Sequence, residues 1–136
     1  MKRVFVDSSG FFALIAAEDP LHERTHGLFL RADADRWVLV TTNAVVVECY
    51  ALLLTRSRPG RRNALALLDL LRQDAYMIER VRKSDEEQAV ALVRAHEDKT
   101  YSLCDALSFV VMERLRITEA IAFDRHFEAY GRFTIL

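Results

Sequence analysis

Four carboxylates, Asp7, Glu48, Asp105 and Asp124, stand beside strongly apolar sequence, where an unpaired negative charge costs on the order of several kcal/mol unless something positive meets it. Asp7 follows Val4-Phe5-Val6 and Asp124 follows Ala120-Ile121-Ala122-Phe123. Both therefore read as residues at the carboxyl end of a buried strand, the edge where ligands collect in open α/β sheets. If the four converge, each pair about 5 Å apart repels by roughly 3 kcal/mol at an effective dielectric near ~20, so they must share protons or hold a cation. A few hard oxygen donors, with room left for water and phosphate, suit Mg²⁺ or Mn²⁺ rather than zinc.

Each acid also has a purely structural reading. Asp7 can cap the helix that follows it, although Ser8 and Ser9 can do the same. Asp124 can cap a short helix before Tyr130, and Ser102-Leu103-Cys104-Asp105 has the spacing of a capping box. Glu48 lies beyond the first turn of its helix among valines, where capping and dipole effects have faded; its structural reading is a buried ion pair with an arginine. Strand ends explain Asp7 and Asp124, and the helix after the second strand brings Glu48 near them. Asp105 follows a helix instead, and spacing alone does not return it to the same edge.

Other patterns compete. His22-Glu23-Arg24-Thr25-His26 matches the His-Glu-x-x-His pattern of zinc peptidases, but Phe29 occupies the glycine position of the extended form, and a surface helix is the simpler reading. His96 and His126 have no local partner spacing and read as structural or solvent-exposed. Cys49 and Cys104 adjoin two of the acids, yet helical neighbours point about 100° apart, so both read as small core residues. Neither cysteine fits a disulfide framework or a zinc knuckle, which agrees with a reducing cytoplasm. A phosphatase with Asp7 as nucleophile needs a second aspartate two residues on, where Ser9 stands.

The elements that must position these groups alternate between strand and helix. Met1 to Val6, Trp37 to Thr41, Ala75 to Val81, Glu119 to Phe123 and Phe133 to Leu136 read as strands, the last at an edge. Helices are expected over Phe11 to Ala17, from Leu21 to about Ala32–Asp35, from Thr42 or Asn43 to Pro59, over Arg61 to Gln73, from a capping box at Ser84-Asp85-Glu86-Glu87 to about His96, and from Tyr101 to about Leu115. A short helix or turn follows over Asp124 to Tyr130. The helix through Val45 to Leu54 is apolar nearly all round and is expected to be deeply packed. This alternation implies a mainly parallel sheet with helices on both faces, in a single domain over 1–136.

Composition adds bounds. The chain has 51% hydrophobic and 29% charged residues and a formal charge of −1, which excludes a uniformly basic nucleic-acid binder but not local patches. Arg56, Arg58, Arg61 and Arg62 cluster around Pro59-Gly60, and Arg80, Arg82 and Lys83 form a second group. Neither a leader peptide nor an apolar stretch long enough to span a membrane is legible.

Taken together, Val4-Phe5-Val6-Asp7-Ser8-Ser9, Val47-Glu48, Ser102-Leu103-Cys104-Asp105-Ala106-Leu107-Ser108-Phe109 and Ala122-Phe123-Asp124-Arg125-His126-Phe127 resemble, in order and over essentially the whole chain, a PIN domain of the VapC toxin type. The resemblance implies a three-layer α/β/α fold in which Asp7, Glu48, Asp105 and Asp124 form an acidic site for Mg²⁺ or Mn²⁺. It also implies hydrolysis of RNA phosphodiesters as the toxin of a toxin–antitoxin pair. Asp7 and Asp105 would be the principal ligands, Asp124 would ligate or orient through water, and Glu48 would bind the ion or help deprotonate the attacking water. Many relatives carry Thr or Ser one or two places before the fourth acid; Ala122 and Phe123 stand here, leaving Ser8 and Ser102 as the polar neighbours. Arg56, Arg58, Arg61 and Arg62 are candidates, from charge, for phosphate contacts. A small antitoxin and a homodimer are further implications, and a catalytically silent PIN-like binding module is the alternative.

Overall fold

In the computed structural model, which describes residues 1–136, β1 (Arg3–Val6), β2 (Val38–Thr42), β3 (Tyr76–Glu79), β4 (Glu119–Ile121) and β5 (Thr134–Ile135) form one parallel sheet. Its order is β3-β2-β1-β4-β5. Parallel strands need long crossovers. Here α1 (Ser8–Ile15), α2 (His22–Ala34), α3 (Asn43–Arg56), α4 (Gly60–Leu70), α5 (Lys83–Ala95), α6 (Leu103–Leu115) and α7 (Arg125–Tyr130) fill the connections. The result is the expected α/β/α layering, with Val4, Phe5 and Val6 of the central strand fully buried.

Three local expectations need correction. The first helix begins at Ser8, not Phe11, because Asp7 is its N-cap. The fifth begins at Lys83, where the Arg82 backbone N–H donates to Asp85 Oδ2 at 2.9 Å, so the box opens two residues before Ser84. Helix α3 is not packed all round: Val45, Cys49 and Leu53 form a buried stripe at four-residue spacing, while Val47 is 72% exposed.

The strand order creates the site. From β1 the chain moves to β2 and β3 on one side, then crosses back to β4 and β5 on the other. The connections leaving β1 and β4 therefore diverge, opening a crevice at their carboxyl ends. The Asp7 N–H donates to Ile121 O at 3.1 Å across it. Helix α1 sits tightly over the same point, since a Cβ on Gly10 would lie 2.6 Å from Ile121 O. Helix α6 delivers the chain to the amino end of β4 through a left-handed turn at Arg116 (φ 57°). It thus runs antiparallel to the strands, and its N-terminus, with Asp105, lies at their carboxyl edge.

Two devices hold the crossover helices. Phe109 of α6 packs edge-on against Phe127 of α7 at 4.9 Å and face-on against Tyr130 at 4.3 Å. Arg114 of α6 donates to both oxygens of the fully buried Asp85 of α5 at 2.9 and 2.8 Å. Burial pushes the Asp85 carboxyl up, but Arg114 and the Arg82 N–H outweigh it and leave it below the usual range. Removing the guanidinium strands a buried charge. Arg114→Ala is expected to lower unfolding free energy by about 2–4 kcal/mol in a denaturant titration at neutral pH, and a loss below ~1 kcal/mol would contradict this role.

Candidate metal centre

Asp7 leaves β1 straight into α1. Its Oδ2 accepts the Ser9 hydroxyl at 3.0 Å and, more weakly, the Ser9 N–H at 3.5 Å. Its Oδ1 is buried with no hydrogen-bond partner, in a side chain whose residue is 2% exposed. Ser9 Oγ in turn accepts the Phe123 N–H at 2.8 Å, tying the Asp7 turn to the segment that leads to Asp124. This hydroxyl, supplied from another strand end, stands beside the segment where Ala122 and Phe123 carry none, and it adds to Ser8, which lines the same cavity.

Glu48, in the second turn of α3, meets the same edge. Its Oε1 accepts the Ser8 hydroxyl, so its partner is a serine and not the arginine of the ion-pair reading. Asp7, Ser8, Ser9, Glu48, Arg56 and Asp124 line one open cavity of about 330 Å³. Ser102 is committed to α6: its Oγ accepts the Asp105 N–H at 3.0 Å, and its own N–H donates to Asp105 Oδ2 at 3.1 Å. The capping readings of Asp7, Asp105 and Asp124 all hold, and they coexist with convergence. An N-cap fixes its carboxylate at the start of a helix, and these starts share the carboxyl edge.

The residue missed by sequence reading is His126. Its Nδ1 lies 2.9 Å from Asp105 Oδ2 and 3.5 Å from Asp124 Oδ1, so of the two readings, structural or solvent-exposed, these contacts agree with the first. The only signal was its place two residues after a capping aspartate, where its N–H donates to Asp124 Oδ1 at 2.9 Å. Asp105, Asp124 and His126 offer three ligand atoms within 4.8 Å of one another, the one such group in the protein.

Electrostatics favour a cation. Burial, joined by the Asp105 and Glu48 charges, pushes Asp7 up to about 7 despite its Ser8 and Ser9 hydrogen bonds. Asp105 is raised too, by burial that its His126 bond only partly offsets and by the Asp124 charge. An unsatisfied buried carboxylate oxygen beside further acids is a donor set that fits a hard divalent ion. Cys49 is the small core residue the sequence suggested, fully buried in the main hydrophobic cluster; its Sγ donates to Ser8 O at 3.6 Å, and burial, with the Asp7 and Glu48 charges, raises its thiol to about 12. Half-buried Cys104 faces Glu48, and burial followed by that charge holds its thiol protonated.

Other candidates lie apart. Arg56 reaches the cavity, whereas Arg58, Arg61 and Arg62 are exposed and do not line it. His22 and His26 gather no third ligand: His22 Nδ1 donates to Ala13 O at 2.9 Å, and His26 lines a separate apolar cavity of about 660 Å³ with Trp37 and Tyr76, near the amino ends of β2 and β3. No helix is long and apolar enough to cross a membrane.

Residues 4–132 match the family described as PIN domain. The chain is 35% identical over 128 residues to the 23S rRNA-specific endonuclease VapC20 of Mycobacterium tuberculosis, covering 94% of each chain. It is 29% identical over 139 residues to ribonuclease VapC26 of the same organism, covering 98% of this chain and 99% of that one. The crystal structure of VapC20, described as a Sarcin-Ricin loop cleaving toxin, matches with a TM-score of 0.87 at 33% identity, over 97% of this chain and 98% of that one. VapBC2 from Rickettsia felis, solved with a DNA fragment from its promoter, shares the fold at a TM-score of 0.69 and 10% identity, over 98% and 97% of the two chains.

The raised Asp7 carboxyl makes a stability prediction for the metal-free protein. A folded value of about 7 against an unfolded one of 3.8 means that the folded state holds the extra proton, so stability is full below pH ~4 and is lost as pH rises through ~7. In EDTA, Asp7→Asn is expected to remove this slope and to stabilise the fold at pH 8 by about 1–3 kcal/mol. Calorimetric unfolding from pH 4 to 8 checks it; equal slopes in both proteins would contradict it.

Proposed function

This chain belongs to the PIN domain family, and from that premise we propose that it is a Mg²⁺- or Mn²⁺-dependent endoribonuclease, the toxin of a toxin–antitoxin pair. The observation that carries the reading is the orphaned, buried Asp7 oxygen at the β1–β4 crevice, on the same edge as Asp105 and Asp124.

Asp7, Asp105 and Asp124 would hold the cation. When bound, it supplies an activated water at neutral pH and neutralises charge on the departing oxygen. Ser9 fixes Asp7 against the Phe123 backbone, so the first carboxylate is oriented before substrate arrives. Ser8 holds Glu48 with its carboxylate on the cavity, from where it would bind the ion or help take a proton from the attacking water. Arg56, exposed and lining the cavity, is the member of its cluster that would meet an RNA phosphate.

VapC20, named for 23S rRNA, makes ribosomal RNA the first substrate to test. A small antitoxin that covers the crevice, a homodimer and a cytoplasmic location belong to the same proposal. A catalytically silent binding module would have no use for an uncompensated buried acid, which is what favours the nuclease.

Purified chain free of antitoxin is expected to cut ribosomal or total RNA with Mg²⁺ or Mn²⁺ and to stop in EDTA. Asp7→Asn and Asp105→Asn should each lose at least ~100-fold, since even outer-shell partners of a metal site are worth about 10–100-fold. Equal cutting by the variants would contradict the site, and no cutting of any RNA tested would favour the binding module.

A further inference from the structure

The Asp105–Asp124–His126 group has a composition that carboxylate chemistry alone does not explain. One of its three ligand atoms is an imidazole nitrogen, and it sits between the two acids. We propose that His126 is a direct nitrogen ligand of the site's cation and biases it toward Mn²⁺ over Mg²⁺. This rests on the metal-dependent reading above and adds a ligand to it.

Three observations support it. Neighbouring ligands of an ion bound at about 2.1 Å are roughly 3 Å apart, and Nδ1 stands 2.9 Å from Asp105 Oδ2 and 3.5 Å from Asp124 Oδ1. The contact that is a hydrogen bond without a cation thus has the separation of adjacent ligands with one. The ring is also held in place. The backbone N–H of His126 donates to Asp124 Oδ1, the adjacent Phe127 is fully buried, and the Tyr101 ring meets the imidazole edge-on at 5.4 Å. Finally, Nε2 faces Thr100 Oγ1 at 3.5 Å, so the second nitrogen has an acceptor for its proton when Nδ1 turns its lone pair inward. Ligating histidines are oriented by such a bond from the other ring nitrogen.

The Asp7 oxygen that the metal-dependent reading already counts as a ligand lies on the same edge, unpartnered in a side chain almost wholly buried. An oxygen set with one imidazole disfavours Mg²⁺, which is satisfied by oxygen and water, relative to Mn²⁺ and later ions, which accept nitrogen more readily.

The test is pulsed electron paramagnetic resonance of the untagged full chain loaded with Mn²⁺, reading nitrogen hyperfine coupling to the ion. Wild type should show an imidazole coupling that vanishes in both His126→Ala and His126→Gln, the second keeping a polar side chain for the acids. Mn²⁺ affinity should fall by ~10-fold or more in the variants while Mg²⁺ affinity changes little. Bound Mn²⁺ with no nitrogen coupling, or coupling that survives both substitutions, would overturn the ligand assignment and leave the carboxylate site standing. Failure of wild type to bind Mn²⁺ at all would overturn both.

Discussion

A carboxylate at the end of a buried strand must hold a proton or meet positive charge, and Asp7 is the place where this fold accepts that constraint. One of its oxygens is held by Ser9, and the other is buried without a partner. Burial and the neighbouring acids make ionisation costly there. No basic side chain of the chain itself answers it; Arg56, on the cavity, is exposed. An unmet requirement of this kind is what suits a strand end to a cation.

Much of the architecture serves to keep that requirement focused. Divergent connections from β1 and β4 open the crevice, and α1 seats closely against Ile121 of β4 at Gly10. Helix α6 carries Asp105 back to the edge because it must feed β4 from the opposite end. The Asp85–Arg114 clamp and the Phe109–Phe127–Tyr130 stack fix α6 and α7, and with them the two acids nearest His126. Capping and function share the same atoms: a carboxylate bonded to the first N–H groups of a helix is already oriented and still has an oxygen to offer.

The strands, most helices and the two strand-end acids, Asp7 and Asp124, were legible in the sequence because apolar runs and capping residues report local structure directly. What stayed hidden was non-local. Asp105 needed the direction of α6, which depends on which strand it feeds. His126 carried only its place two residues after a capping aspartate, and its other partner, Asp105, lies 21 residues away. Ser9 reaches Phe123 across 114 residues. The one-sided burial of α3 was misread because Val47, Ala51 and Leu54 are apolar yet exposed; apolar composition alone does not say which face meets the core.

The most direct test of a cation site at this edge is anomalous diffraction from crystals of the chain soaked in Mn²⁺. The account predicts a peak at the β1–β4 crevice among Asp7, Asp105 and Asp124, absent after Asp7→Asn and Asp105→Asn are combined. A well-diffracting soaked crystal with no peak there, or with its only peak near His22 and His26, would contradict it.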